Sequence, residues 1–275
     1  MRIDAHAHGI YGLPPKPADL ESYIAGCRAR GIDKIALIGG EEAMFEMQGK
    51  CPDFVIPIIY LDIDTAQPSD VRRVIDKGAR GIKFIYPMRS YGDDSYFPLY
   101  EEINRLGGTI VFHTGYVMVG LFDGATSATA VPSYRKPSLV DISDMRPAAI
   151  DRIVRGFPDL KILLAHFGNP WWEECWKMIA SHKNVYADFS GGTAYRKSMT
   201  LWSEMFAPDG KLDAATAGKL CFASDFCYFL DDNPFGFQPF IDFYERFFDR
   251  VGMPDELRLR INSGNSRHLF GQSVA

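Results

Sequence analysis

Apolar positions fall into eight short runs rich in β-branched and aromatic residues. They are RIDAHA at 2–7, KIALIG at 34–39, FVIPIIYL at 54–61, GIKFIYP at 81–87, TIVFHTG at 109–115, KILLAHFG at 161–168, NVYADFS at 184–190 and KLCFASDF at 219–226. Runs of this length and composition read as buried strands. Between most of them the apolar residues recur with a helical period, as in ADLESYIAGCRARG, SDVRRVIDKGARG, RPAAIDRIVRGFPD and WWEECWKMIASHKN. Gly31, Gly81 and Gly156 are expected to close helices ahead of the next strand, because glycine accepts the left-handed turn at little cost.

Strands alternating with helices predict βαβ units on a parallel sheet, since a parallel neighbour needs a long crossover. Eight such units in 275 residues match a (β/α)8 TIM barrel, read as a single domain over 1–275. An open doubly wound sheet is the competitor. No GxGxxG follows the first strand, and reactive side chains fall at the C-terminal ends of several strands, which a barrel gathers at one mouth. The connection at 116–144, rich in Gly, Ser, Thr, Ala and Pro, is expected to be a long loop after strand five over that mouth.

Composition narrows the partners. A hydrophobic fraction of 47% is that of an ordinary globular protein, and a net charge of -5 without basic clusters argues against nucleic acid and anionic membranes. A small-molecule substrate is the expected partner, and a homo-oligomer is compatible with the sequence. The five cysteines are scattered and never spaced as CxxC, so neither a disulfide framework nor a cysteine zinc site is expected. A cytoplasmic setting fits, with no signal-peptide pattern and no apolar run near the roughly 18 residues of a membrane span.

The histidines carry the chemistry. His6 and His8 close strand one, His113 closes strand five, His166 closes strand six, and Asp225 closes strand eight. Residues i and i+2 of a strand share a face, so His6, His8 and Asp4 are expected side by side. A single histidine at a strand end is more often structural, yet four of six at such ends together with an aspartate predict one shared site. His182 and His268, near a helix end and on the last helix, read as exposed; Cys221 and Cys227 read as small buried hydrophobes.

DAHAH, GIKFIYP, FHTG, FPDLKILLAHFG, FASDF and INSGNSRHLFG together resemble the amidohydrolase superfamily, in particular its amidohydrolase-related branch. That branch joins metal-dependent hydrolases with nonoxidative decarboxylases such as aminocarboxymuconate-semialdehyde decarboxylase-like enzymes. The resemblance implies His6, His8, His113 and Asp225 as metal ligands and His166 as acid/base or electrostatic partner. In binuclear members His166 would bind a second ion, bridged by a carboxylated lysine from strand four. Lys83 lies on that strand, but four residues short of its apparent end at Pro87, so it is read instead as hydrogen-bonded within the barrel or reaching a substrate carboxylate.

Three imidazoles and a carboxylate suit one divalent ion, zinc first with manganese also tolerated. Such an ion activates water and polarises a carbonyl, with Asp225 and His166 as the catalytic groups. Asp4 is expected to orient one imidazole. Trp171 and Trp172 are candidates for an aromatic wall, and Arg89 and Arg135, with Lys136, for holding an acidic substrate. The function read from the sequence is a metal-dependent hydrolase of a small amide, lactone or related carbonyl compound. The alternative is a metal-dependent decarboxylase of a small aromatic or unsaturated carboxylic acid. No GxSxG elbow supports a serine hydrolase. A noncatalytic barrel would carry no metal.

Overall fold

The computed structural model describes residues 1–9, 19–117, 140–191, 194–229 and 234–272. Eight strands, β1 (Arg2–His8), β2 (Ile32–Gly39), β3 (Val55–Tyr60), β4 (Gly81–Phe84), β5 (Thr109–His113), β6 (Lys161–Ala165), β7 (Val185–Asp188) and β8 (Leu220–Cys221), pair in parallel in sequence order. Helices α1 (Leu20–Ala29), α2 (Glu41–Lys50), α3 (Pro68–Asp76), α4 (Phe97–Arg105), α5 (Ile150–Gly156), α6 (Trp172–Ser181), α7 (Met199–Phe206) and α8 (Ala214–Ala217) fill the connections. After β8 come α9 (Gln238–Arg250), α10 (Asp255–Leu259) and α11 (Asn265–Phe270). Among the described residues no helix is long and apolar enough to cross a membrane.

The sheet closes into a barrel through main-chain bonds between β1 and the segment after β8. Ala5 N–H donates to Phe222 O at 2.9 Å, Asp225 N–H to His6 O at 2.8 Å, His8 N–H to Phe226 O at 2.9 Å and Tyr228 N–H to His8 O at 2.9 Å. These bonds cover the edge of β1 that β2 does not pair. They also bring residues from the two ends of the chain into direct contact.

Alternate residues of each strand divide between two cores. Ile3, Ala5, Ile58, Val111, Leu163 and Tyr186 fill the interior, closed from below by Leu269 and Phe270 of α11, whereas Leu37, Ile82, Phe112, Leu164 and Ala187 pack outward under the helices. Inward positions one step further along the strands are therefore Lys83, His113 and Asp188. On β1, strict alternation from Ile3 and Ala5 would turn Ala7 inward. A register shift between Asp4 and Ala7 reverses the phase, so Ala7 joins the outer core and His6 is free to turn into the mouth.

Three boundaries differ from the sequence reading. β4 ends at Phe84 rather than Pro87, two residues before Tyr86 takes a left-handed φ of 59°, so Lys83 sits one residue from the strand's end. Helix α3 closes at Gly78, with φ of 120°, and Gly81 instead begins β4, where a Cβ would approach Thr109 O to 2.8 Å. Gly156 is the last residue of α5, and only Gly31, with φ of 84°, closes its helix as expected. Most of the 116–144 connection, including Arg135 and Lys136, lies outside the described residues.

Candidate active site

Residues from six strand ends converge at the C-terminal mouth. His6 Nε2 lies 3.7 Å from Asp225 Oδ1, and His8 Nε2 lies 2.9 Å from the same oxygen. His166 Nε2 is 3.1 Å from His113 Nδ1, and the His6 and His166 ring centroids are 5.0 Å apart. Possible metal-binding atoms of His6, His166 and Asp225 lie within 4.8 Å of one another. His8 adjoins it through Asp225 and His113 through His166. All four strand-end histidines and the aspartate of the sequence reading thus meet in one place.

Lys83 reaches the same cluster. It is buried, with Nζ 3.0 Å from His6 Nε2, which agrees with a lysine hydrogen-bonded inside the barrel. The distance from the strand's end that set it apart from the ligand region no longer holds. Burial lowers the ammonium pKa to about 8, against the pull of Asp225 and Asp188.

The backbone at this mouth is unusual. His166 and Asp225 both take left-handed φ, 63° and 62°, which is uncommon outside glycine and clusters at functional sites. Gly191, with φ of 83°, lets the main chain pass so close that a Cβ there would lie 2.7 Å from His166 Nδ1 and 3.4 Å from Asp225 Oδ2.

Electrostatics favour neutral imidazoles at His6 and His113 and an ionised Asp225. Burial, then the charges of Lys83 and His166, push His6 well below the usual histidine range; burial, then His166 and Lys83, do the same for His113. Asp225 is recessed, which works against ionisation, yet His166 and the hydrogen bond from His8 hold its pKa below the usual carboxylate value.

Two residues at the mouth escaped the sequence reading. Asp188 ends β7; its Oδ1 accepts from His166 N–H at 3.0 Å and Ser190 N–H at 2.9 Å, and its Oδ2 lies 3.7 Å from His6 Nδ1. Burial raises its pKa against those favourable neighbours. The signal was the period of two: Tyr186 faces inward, so Asp188 does too. Ser190 Oγ lies 2.9 Å from His6 Nδ1 and 3.1 Å from His166 Nδ1.

Other expectations need correction. Asp4 touches no imidazole: it accepts from Ser224 N–H at 3.0 Å, from the Ser224 and Tyr228 hydroxyls and from His6 N–H, tying β1 to β8. The bulge in β1 is why it does not share the rings' face. Trp172 packs its ring 5.5 Å from that of Trp202, within the outer core rather than as a wall of the cluster. Trp171 is half-buried, with the Arg146 guanidinium 5.1 Å from its ring centroid. Arg89 is exposed, its closest carboxylate being Asp64 at 4.0 Å. His182 is not free but bonded to Asp151 at 3.0 Å, whereas His268 is exposed as expected. Cys221 is buried, and burial raises its thiol pKa far above the usual value; Cys227 is half-buried, its thiol pushed up to about 11 by burial.

Solved structures share this architecture. A probable 2-pyrone-4,6-dicarboxylic acid hydrolase from Acinetobacter baumannii, with citric acid bound, is 12% identical, with a TM-score of 0.62 over 98% of this chain and 99% of that one. The 5-carboxyvanillate decarboxylase of Sphingomonas paucimobilis is 13% identical, with a TM-score of 0.66 over 99% of both chains. A dihydroxybenzoic acid decarboxylase from Polaromonas sp. JS666, with bound manganese, is 14% identical, with a TM-score of 0.64 over 100% of this chain and 98% of that one. At these identities the likeness is one of fold. No curated protein matches the chain. The amidohydrolase family model, however, matches residues 3–272, nearly the whole sequence, and the chain is therefore a member of the amidohydrolase family.

Proposed function

We propose that the chain is a metal-dependent hydrolase acting on a small amide, lactone or related carbonyl compound that carries a carboxylate. The observation that carries this reading is an aspartate held ionised at a mouth where His6 and His113 are held neutral. An ionised carboxylate at the mouth is a base, suited to taking a proton from an attacking water.

The residues fit a divalent ion. His6 and His113 are in the neutral form that a ligand requires, His113 Nε2 is buried without a hydrogen-bond partner, and His6, His166 and Asp225 already converge. His6, His8, His113 and Asp225 would hold it, with zinc the expected ion and manganese tolerated. When bound, such an ion lowers the pKa of water toward about 7 and polarises a carbonyl oxygen.

The remaining chemistry belongs to the side chains. Asp225 takes the proton of the attacking water and returns it to the leaving group. His166, whose Nε2 lies 3.1 Å from His113 Nδ1, is the second proton-handling group beside Asp225. Lys83 bonds a histidine nitrogen rather than a carboxylate, which leaves its positive charge for a substrate anion.

Decarboxylation is the second reading, favoured by the decarboxylases among the similar structures and by the same cation beside the histidines. Incubating the metal-loaded protein in H₂¹⁸O with a panel of carboxylate-bearing lactones, amides and hydroxybenzoates separates the two. Solvent oxygen in the product is expected; CO₂ release without incorporated oxygen would overturn the hydrolase reading.

A further inference from the structure

Two imidazoles from different strands meet at one serine. Ser190 Oγ lies 2.9 Å from His6 Nδ1 and 3.1 Å from His166 Nδ1, and the main-chain carbonyl of Ser190 lies 3.1 Å from His166 Nδ1. A carbonyl oxygen only accepts, so His166 carries its proton on Nδ1 and leaves Nε2 bare. His6 is fixed from its other side. The Lys83 ammonium, a donor, faces His6 Nε2 at 3.0 Å, so that nitrogen accepts, and the ring's proton sits on Nδ1, where Ser190 Oγ receives it. His113 then follows from His166: its Nδ1, 3.1 Å from the bare His166 Nε2, donates, and its own buried Nε2 is left bare.

We infer that Ser190, seated by Asp188, is a positioning residue for the histidine cluster: its carbonyl sets the tautomer of His166 and, through it, of His113, while its hydroxyl accepts the Nδ1 proton of a His6 whose tautomer Lys83 fixes. Asp188 anchors the arrangement through the main-chain N–H groups of both Ser190 and His166, and its second oxygen lies 3.7 Å from the protonated Nδ1 of His6. A nitrogen carrying a proton cannot bind a cation, so a ring held in the other tautomer would be lost as a ligand. The importance of this for activity rests on the metal-dependent reading; the tautomers themselves do not.

The assignment divides between two variants. Ser190→Ala removes the hydroxyl and keeps the carbonyl. In full-length protein labelled with ¹⁵N-histidine, zinc-loaded and chelated, long-range ¹⁵N–¹H correlation spectra are expected to show Nδ1–H for His6, His113 and His166 in the wild type. In Ser190→Ala all three rings are expected to keep Nδ1–H, because the carbonyl and Lys83 remain, while the His6 Nδ1 proton, its acceptor lost, moves upfield and exchanges faster with solvent. Ser190→Thr is expected to restore it, and Lys83→Met is expected to make His6 a mixture of tautomers while His166 and His113 keep Nδ1–H. Ser190→Gly gives the same reading if the alanine variant does not accumulate. Wild-type His166 or His113 protonated on Nε2, or a His6 Nδ1–H signal unmoved by loss of the hydroxyl, would overturn the inference. Zinc affinity by chelator competition is expected to fall about tenfold or more in Ser190→Ala and to recover in Ser190→Thr. A wild type that binds no zinc would instead refute the metal-dependent reading, with the spectra still deciding the tautomers.

Discussion

Lys83 Nζ and His6 Nε2 face each other at 3.0 Å inside the barrel, a cation against the nitrogen that a metal would use. Two positive groups can share that space only if anions balance them, and both nearby carboxylates are partly engaged, Asp225 by His8 at 2.9 Å and Asp188 by the main-chain N–H groups of His166 and Ser190. A substrate carboxylate completes the balance. Lys83→Met, of similar length and without charge, is expected to raise KM for a carboxylate-bearing substrate by about tenfold or more, the worth of a charge-assisted hydrogen bond. Its melting temperature is expected to be unchanged or higher, because the variant removes a buried charge. A KM equal to wild type would remove Lys83 from substrate binding.

Metal should stabilise the fold as well as serve the reaction. An ion present at about 100 times its dissociation constant adds about 2.7 kcal/mol, so chelation is expected to lower the melting temperature of the wild type. In Asp225→Ala the chelator is expected to make almost no difference. Elemental analysis of the purified protein is expected to give near one equivalent of zinc or manganese; near two would indicate a second ion.

Gly191→Ala tests how tightly His166 is held. The new methyl meets His166 Nδ1 at 2.7 Å, and the left-handed backbone costs about 1–2 kcal/mol for any L side chain. We expect kcat to drop at least about tenfold from the displaced ring, with folding retained by circular dichroism. Full activity would show that His166 can move without consequence.

Asp4→Ala strikes the barrel seam. It strips an acceptor from Ser224 N–H, Ser224 Oγ, Tyr228 OH and His6 N–H, all buried. Leaving several buried donors unsatisfied is expected to cost about 3 kcal/mol or more, read from the urea midpoint. Asp4→Asn, which keeps one oxygen, is expected to lose less.

Glu102 governs acid sensitivity away from the site. Hydrogen bonds from Arg105, and from Arg72 on the neighbouring helix, lower its carboxyl to about 2, against the effect of desolvation. A lowered folded pKa stabilises above the unfolded value, near 4.3, and the gain disappears as pH falls from there toward 2. Glu102→Gln is therefore expected to be less stable than wild type at pH 7 and to approach it near pH 2. A constant difference across that window would refute the pairing.

The barrel was legible because its signal is redundant. Eight apolar runs with helical spacers leave few topologies, and four histidines at strand ends mark one end of the barrel as reactive. What the sequence concealed was phase and termination. Asp4 was placed beside the imidazoles by a period of two that a bulge in β1 breaks. Lys83 was set too deep because the apolar run GIKFIYP continues three residues past the hydrogen-bonded strand, the left-handed Tyr86 falling within it. Asp188 and Ser190 lie inside the run NVYADFS, where nothing but the inward phase of the strand marks them as part of the mouth. Counting inward from Tyr186 would have found the first.

The bonds that close the barrel run through His6 and His8 on one side and Asp225, Phe226 and Tyr228 on the other. Seam and site are thus built from the same few residues, drawn from opposite ends of the polypeptide. Binding competence is consequently a report on complete folding: an intermediate with β1 or the β8 segment still undocked has no cluster, and titrating refolding chains with zinc would count only those whose two ends have met.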